Sequence, residues 1–233
     1  VVHTAATPGP DMATSLKVNG EGTRVVAEGA LAAGVERLVH ISTDVVYDFT
    51  GDPHITEATP YHDGTGNPYE VGKLAAENEL RAVAARGLKA TILRPTCILG
   101  AHPTSTWGVR FPQALKAGKF KLFGQGGSTF PYIHVENLVD CILLAATRDE
   151  AVGQAYDTND GHLTWREYAA RWEELIGCPA PQFLPGDAAP AFFKWTGTIR
   201  AEKIRRELGY SPARLLNDAL NESLAYLKAN GLV

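Results

Sequence analysis

The sequence predicts an α/β fold: a doubly wound parallel sheet with helices on both faces, followed by a smaller C-terminal α/β lobe. Short apolar runs alternate with helical segments up to Pro95. One such run, Arg37-Leu38-Val39-His40-Ile41, is nearly all apolar, as a strand buried on both faces should be. Past Pro95 the alternation loosens into short strands, longer helical stretches and many aromatic residues.

In chain order, Val1-Val2-His3 reads as the end of a buried strand that runs into a small-residue turn, Thr4-Ala5-Ala6. Pro8, Gly9 and Pro10 break the chain after it. Residues 12–33 read as a helix with Val25, Val26, Ala30 and Leu31 on one face and Gly34 at its C-terminal end. The strand at 37–41 follows. A polar loop over 47–68 then carries Gly51, Pro53, Pro60, Gly64 and Gly66, and loops of that length inside compact domains tend to be functional or disordered. Residues 69–85 read as a helix closed by Gly87, and 90–93 as the next strand. Helical segments near 108–117, 137–147, 164–176, 201–208 and 217–229 alternate with strands near 121–123 and 155–157. Thr164-Trp165-Arg166-Glu167 is a capping box, in which each side chain satisfies an orphan backbone N–H. The expected division is 1–100 for the sheet domain and 101–233 for the second lobe, with some later segments returning to the first core.

Of 233 residues, 22 are basic and 26 acidic, a net charge of −4, and 45% are hydrophobic. Wholesale disorder is therefore not expected, and no basic footprint for nucleic acid is present. No apolar run reaches the roughly 18 residues of a membrane span, and no signal peptide is seen, so a cytoplasmic protein is expected. Cys97, Cys141 and Cys178 lack metal-ligand spacing and read as reduced core thiols.

Three segments carry the chemistry. Ser42-Thr43-Asp44 is a hydroxyl-rich turn at the end of a buried strand, and open α/β sheets bind ligands beyond their carboxyl edge. Tyr69-Glu70-Val71-Gly72-Lys73 places a phenol and an ammonium four residues apart, on one face of a helix. Arg94-Pro95-Thr96 again follows a strand. A free phenol has a pKa near 10, too high for efficient proton transfer at neutral pH, and a nearby ammonium is expected to lower it. A Thr43 hydroxyl can bind the same substrate oxygen that Tyr69 protonates.

In the order and spacing of six segments the chain resembles the extended short-chain dehydrogenase/reductases of the NAD-dependent epimerase/dehydratase group, whose fold is Rossmann-like. Val2-His3-Thr4-Ala5-Ala6 resembles the family's fourth strand and cofactor turn, and Asn19 with Gly22-Thr23 its Asn-x-x-Gly-Thr segment. Ser42-Thr43-Asp44 through Tyr47, Tyr69 to Lys73 and Leu93-Arg94-Pro95-Thr96 resemble the hydroxyl, catalytic and nicotinamide segments. Phe130-Pro131-Tyr132-Ile133-His134-Val135-Glu136-Asn137 resembles the substrate-lobe signature. The resemblance implies an NAD(P)-dependent oxidoreductase or epimerase that transfers hydride at a secondary alcohol or ketone, with NAD or NADP as cofactor and a small-molecule substrate. Thr43, Tyr69 and Lys73 would be catalytic; Thr4, Ala5, Ala6, Tyr69, Lys73, Pro95 and Thr96 would hold the cofactor; Asn19 would support a proton relay or sit on a helix surface. Asp44 is a second acid or an Asx-turn former, the turn being favoured. No metal is expected. Leu74, Leu80 and Val83 either form a homodimer seam or face the chain's own sheet.

The departures also matter. The family opens with a Gly-x-x-Gly-x-x-Gly turn that holds the cofactor pyrophosphate, and none occurs here; with no Met at position 1, about 60 residues, some two βαβ units, are expected to precede Val1. Val45 replaces the acidic residue of the dehydratases, which disfavours water elimination, whereas Ser42-Thr43-Asp44 also resembles dTDP-4-dehydrorhamnose reductases. Phe130 stands where nucleotide-sugar members tend to carry an Arg for the diphosphate, leaving Arg110, Lys116 or Lys119 to substitute. The aromatic residues Trp107, Phe111, Phe130, Phe192, Phe193 and Trp195 read first as core, and leave open a less charged substrate. The reading from another class is a non-catalytic dinucleotide-sensing or accessory protein, which the presence of both Tyr69 and Lys73 argues against.

Overall fold

The computed structural model describes residues 1–233. Four strands, Val2–His3, Leu38–Ile41, Ala90–Pro95 and Ala155–Thr158, form the central sheet in that spatial order, and every pairing is parallel. Val39 pairs with Val2 on one side and Thr91 on the other. Because all four strands run the same way, the turns leaving them crowd one edge.

Alternation of side chains along each strand gives the sheet two apolar faces. Leu38, Ala90 and Ile92 pack under Gly22–Ala32 and Pro68–Ala84, which contribute Ala27, Ala30, Leu80 and Val83. Val39, Leu93 and Tyr156 face the other way and pack under Val135–Thr147 and Glu202–Leu208. Leu80 and Val83 are thus consumed by the chain's own core, and Leu74 packs on the cluster of Val46, Tyr47 and Ile55. For Leu80 and Val83 this is the second of the two readings weighed, in which they face the chain's own core.

The helix expected over 12–33 starts at Met12, where the Asp11 carboxylate accepts from Thr14 N at 2.8 Å, and ends at Ala32. Within it, Leu16–Glu21 winds as a π-helix. Beyond it Gly22–Ala32 is regular α-helix, whose small residues take the inward positions. Thr23, Ala27 and Ala30 point inward, while Val25 is 61% exposed.

The loop over 47–68 is anchored at long range. His54–Ile55 pairs in parallel with Thr198–Ile199, and Tyr47 bridges Tyr61. The second lobe is built on Cys97–Leu99, Thr129–His134 and Gly161–Thr164, paired parallel and then antiparallel. Its core is aromatic: Phe130 stacks on Tyr168 with centroids 4.1 Å apart, and Trp165 lies edge-on to Phe130. The capping box at Thr164 forms as expected and starts the helix Trp165–Ile176. Segments beyond residue 100 serve both cores, since Ala155–Thr158, Val135–Thr147 and Glu202–Leu208 belong to the first sheet and its cover. No helix is long and apolar enough to cross a membrane.

Candidate active site

Thr43 leaves the carboxyl end of Leu38–Ile41 in extended conformation and caps the turn Asp44–Val46. Its Oγ1 donates to Asp44 Oδ1 at 3.1 Å. The adjoining Ser42 N donates to Leu93 O at 2.7 Å, which fixes the turn to the neighbouring strand. Across from it, the helix Pro68–Ala84 starts one residue before the expected Tyr69, because Asn67 makes a capping box. The Asn67 Oδ1 accepts from Tyr69 N and Glu70 N at 3.0 and 3.1 Å, and Glu70 Oε2 accepts from Asn67 N. Proline at the first helical position suits its fixed φ. Lys73, one turn on, is 2% exposed, and its Nζ donates to Ile41 O at 2.7 Å. Gly72 allows the helix to lie against the Met12–Ser15 segment: a Cβ there would meet Ser15 Oγ at 2.1 Å.

Thr43, Tyr69 and Lys73 line one cavity of about 730 Å³, together with Thr4, Ala6, Pro95 and Thr96. Ala5 does not. It is exposed and outside the wall, because alternate residues of the segment leaving the first strand face opposite ways. Asn19 also departs from the relay reading. Its Nδ2 donates to Thr7 O at 2.9 Å and to Ser15 Oγ, and its Oδ1 accepts from Thr7 N at 2.8 Å. Both ends of the amide are spent holding the loop that carries Thr4 and Ala6, so Asn19 is a positioning residue.

Burial dominates the electrostatics. The Tyr69 phenol is pushed up to about 12, chiefly by burial, with the Thr43 hydroxyl opposing and Asp44 adding to the rise. The expected lowering by Lys73 is not seen, since burial disfavours the phenolate and the Lys73 ammonium is turned to Ile41 O. Lys73 is itself lowered to about 8 by burial, with Glu77 partly restoring it. The imidazoles of His3 and His40, tilted to each other with centroids 5.2 Å apart, are both shifted down, chiefly by burial and further by the Lys73 charge.

Asp44 is 3% exposed, its Oδ2 has no partner, and burial raises its carboxyl to about 7. A folded pKa above the unfolded value means that this group's stability contribution is full below pH ~4 and lost as pH rises through about 7. Asp44→Asn cannot ionise. It is expected to be more stable than the parent by about 4 kcal/mol at pH 8 and to show no such gain at pH 4. Urea unfolding at the two pH values checks this, and an equal difference at both would contradict it.

A buried network that the sequence reading missed braces the site from behind. Arg94 and Glu77 are both fully buried and pair in bidentate fashion, Nε to Oε1 at 2.9 Å and Nη2 to Oε2 at 2.7 Å. Arg94 also donates to the Tyr47 and Tyr61 hydroxyls at 2.5 and 2.6 Å, and Tyr47 donates to Asp157 at 2.7 Å. Burial pushes Glu77 up, but the Arg94 hydrogen bonds and charge outweigh it and hold the carboxyl low. The available signal was Glu77 standing one further turn beyond Lys73.

Part of the lining is apolar, with Val45, Ile98, Trp107, Pro190, Phe192 and Phe193, beside the polar His102, Thr104, Ser105 and Thr106. Arg110, Lys116 and Lys119, weighed as diphosphate ligands, are exposed and outside the cavity; Arg110 Nε donates instead to Pro103 O. The nicotinamide end of a dinucleotide would fit the part of the lining next to the first strand. There Thr4 and Ala6 present small side chains, and the buried Lys73 ammonium has three donors of which the protein uses one.

Residues 1–159 match the family described as the NAD dependent epimerase/dehydratase family. The 3-diazoavenalumate denitrifying reductase of a Streptomyces species is 28% identical over 88% of this chain and 70% of its own length. The UDP-glucose 4-epimerase of Azospirillum brasilense is 30% identical over 78% of this chain and 58% of its own length. Among solved structures, the dTDP-glucose 4,6-dehydratase of Streptomyces venezuelae with NAD bound is 25% identical and superposes with a TM-score of 0.84, covering 98% of this chain and 73% of that one.

Proposed function

The chain belongs to the NAD-dependent epimerase/dehydratase family, and on that premise we propose that it interconverts a secondary alcohol and a ketone with Tyr69 as acid and base. The observation that carries this is the meeting of Thr43, Tyr69 and Lys73 on one cavity wall at the carboxyl edge of the sheet. When bound, NAD or NADP supplies or accepts the hydride. Thr4, Ala6, Tyr69, Lys73, Pro95 and Thr96 would hold its nicotinamide-ribose end.

In the reductive direction Thr43 Oγ1 donates a hydrogen bond to the substrate oxygen, and Tyr69 Oη delivers the proton that the new alcohol needs. In the oxidative direction Tyr69 Oη takes that proton back. A phenol near 12 is protonated at neutral pH, which favours the donor role. Lys73, near 8, keeps much of its charge at neutral pH and stabilises the phenolate left behind. Above pH 8 that charge is lost, so reductive turnover falls as pH rises.

The relatives span a reductase and a sugar-nucleotide epimerase. Within this range the Ser42-Thr43-Asp44 turn, with Val45 in place of a second carboxylate, favours alcohol–ketone redox over water elimination; its likeness to the dTDP-4-dehydrorhamnose reductases bears on the reaction and not on the nucleotide part of the substrate. Thr43→Ala tests the assignment. It is expected to cost one charge-assisted hydrogen bond, about 1.5–3 kcal/mol, or a roughly 10–100-fold loss of kcat, with Thr43→Ser restoring most of it. Undiminished turnover in Thr43→Ala would remove Thr43 from the mechanism.

A further inference from the structure

We propose that the substrate is an uncharged, ring-bearing ketone or secondary alcohol with a largely apolar body, and not a nucleoside-diphosphate derivative. The inference rests on the hydride-transfer reading above and deepens it. It comes from what the aromatic side of the cavity offers and what the cavity withholds.

What it offers is carbon. Val45, Ile98, Trp107, Pro190, Phe192 and Phe193 line that side, and the aromatic rings are held in place by one another. Trp107 lies edge-on to Phe130 at 5.8 Å and to Trp165 at 5.2 Å; Phe192 and Phe193 meet edge-on at 5.5 Å. Rings fixed in this way present flat apolar surface with little loss of side-chain freedom on binding.

What it withholds is positive charge. Lys73 is the one Lys or Arg side chain on the cavity wall, and it lies on the catalytic side, tied to Ile41 O. Asp44 and Glu70 line the same cavity. A diphosphate needs cations or free backbone N–H groups to offset its desolvation. The helix starts around the cavity already spend backbone donors on their own caps. Asn67 and Glu70 cap the helix at Pro68, the Ser105 Oγ accepts from Gly108 N, and the His134 Nδ1 accepts from Glu136 N. Phe130, at the position of the expected Arg, is fully buried and stacked on Tyr168.

The test is a binding titration of the 233-residue chain by tryptophan fluorescence and calorimetry. The probes are 1-tetralone, 2-acetylnaphthalene and progesterone on one side and UDP-glucose on the other. At least one ketone is expected to bind saturably and at least tenfold tighter than UDP-glucose, with little salt dependence. Phe193→Ala, at a half-buried position, should weaken that ketone about tenfold, and Ile98→Arg should weaken the ketone and tighten UDP-glucose. UDP-glucose binding more tightly than every ketone, or no saturable binding of any ketone up to millimolar concentration, would overturn the inference. An unchanged ketone affinity in both Phe193→Ala and Trp107→Ala would overturn it too. The two readings fail separately. Tight UDP-glucose binding with turnover abolished in Tyr69→Phe would sink the substrate class alone, whereas ketone binding with turnover intact in Tyr69→Phe would sink the acid–base reading.

Discussion

Tyr69→Phe is expected to lower turnover by about 10²–10⁴-fold, the usual worth of a positioned general acid or base, while leaving the fold intact. The substitution deletes only the phenolic oxygen from a side chain that lines the cavity and sits at the capped start of its helix. The Asn67 cap binds the Tyr69 backbone N–H, not the phenol, so the helix start survives. Circular dichroism and urea unfolding should therefore match the parent. Lys73→Ala is expected to cost a comparable factor and to weaken cofactor binding as well, since its buried ammonium has two donors without a protein acceptor. Turnover within a few-fold of the parent in Tyr69→Phe would remove the phenol from the chemistry.

The largest effect on stability is expected from Arg94→Met. It would leave the Glu77 carboxylate fully buried without its bidentate partner and would also remove the donors to Tyr47 and Tyr61. Breaking one half of a buried pair typically destabilises by about 3–5 kcal/mol, and the half-exposed Arg81, 3.3 Å from Glu77 Oε2, offsets only part of the charge left behind. The double substitution Arg94→Met, Glu77→Leu removes both charges and should cost far less than the sum of the two singles. Urea midpoints for the three variants measure this directly. Additive losses would mean that the pair is not coupled. Glu77 also lies one turn beyond Lys73 and raises its pKa, so Glu77→Gln should move the alkaline fall in reductive turnover to lower pH.

The sheet and its covering helices were legible because their signals are local. The run at 37–41 and the strand at 90–93 are continuous apolar segments, and the helix start near Tyr69 carries its own cap and proline. The site was legible for the same reason, since each of Thr43, Tyr69 and Lys73 stands at a strand end or one turn apart on a helix. What was not legible depends on partners distant in sequence. Arg94 pairs with Glu77 and Tyr47, and His54–Ile55 pairs with Thr198–Ile199, more than 140 residues away. Val25 was assigned inward and lies outside, because the small residues Thr23, Ala27 and Ala30, whose apolar signal is weak, take the buried face of Gly22–Ala32. The aromatic wall was read as core. Trp107, Phe192 and Phe193 do pack on that core, yet they also line the cavity, a double use that composition alone does not separate.

The most direct test of acid–base catalysis by Tyr69 is a single-turnover reduction with C4-deuterated reduced cofactor, followed by mass spectrometry of the alcohol. The expected result is one deuterium at the carbinol carbon with the parent chain, and formation of that product slowed at least 10²-fold in Tyr69→Phe. Alcohol lacking deuterium at that carbon, or labelled alcohol formed at the parent rate by Tyr69→Phe, would contradict it.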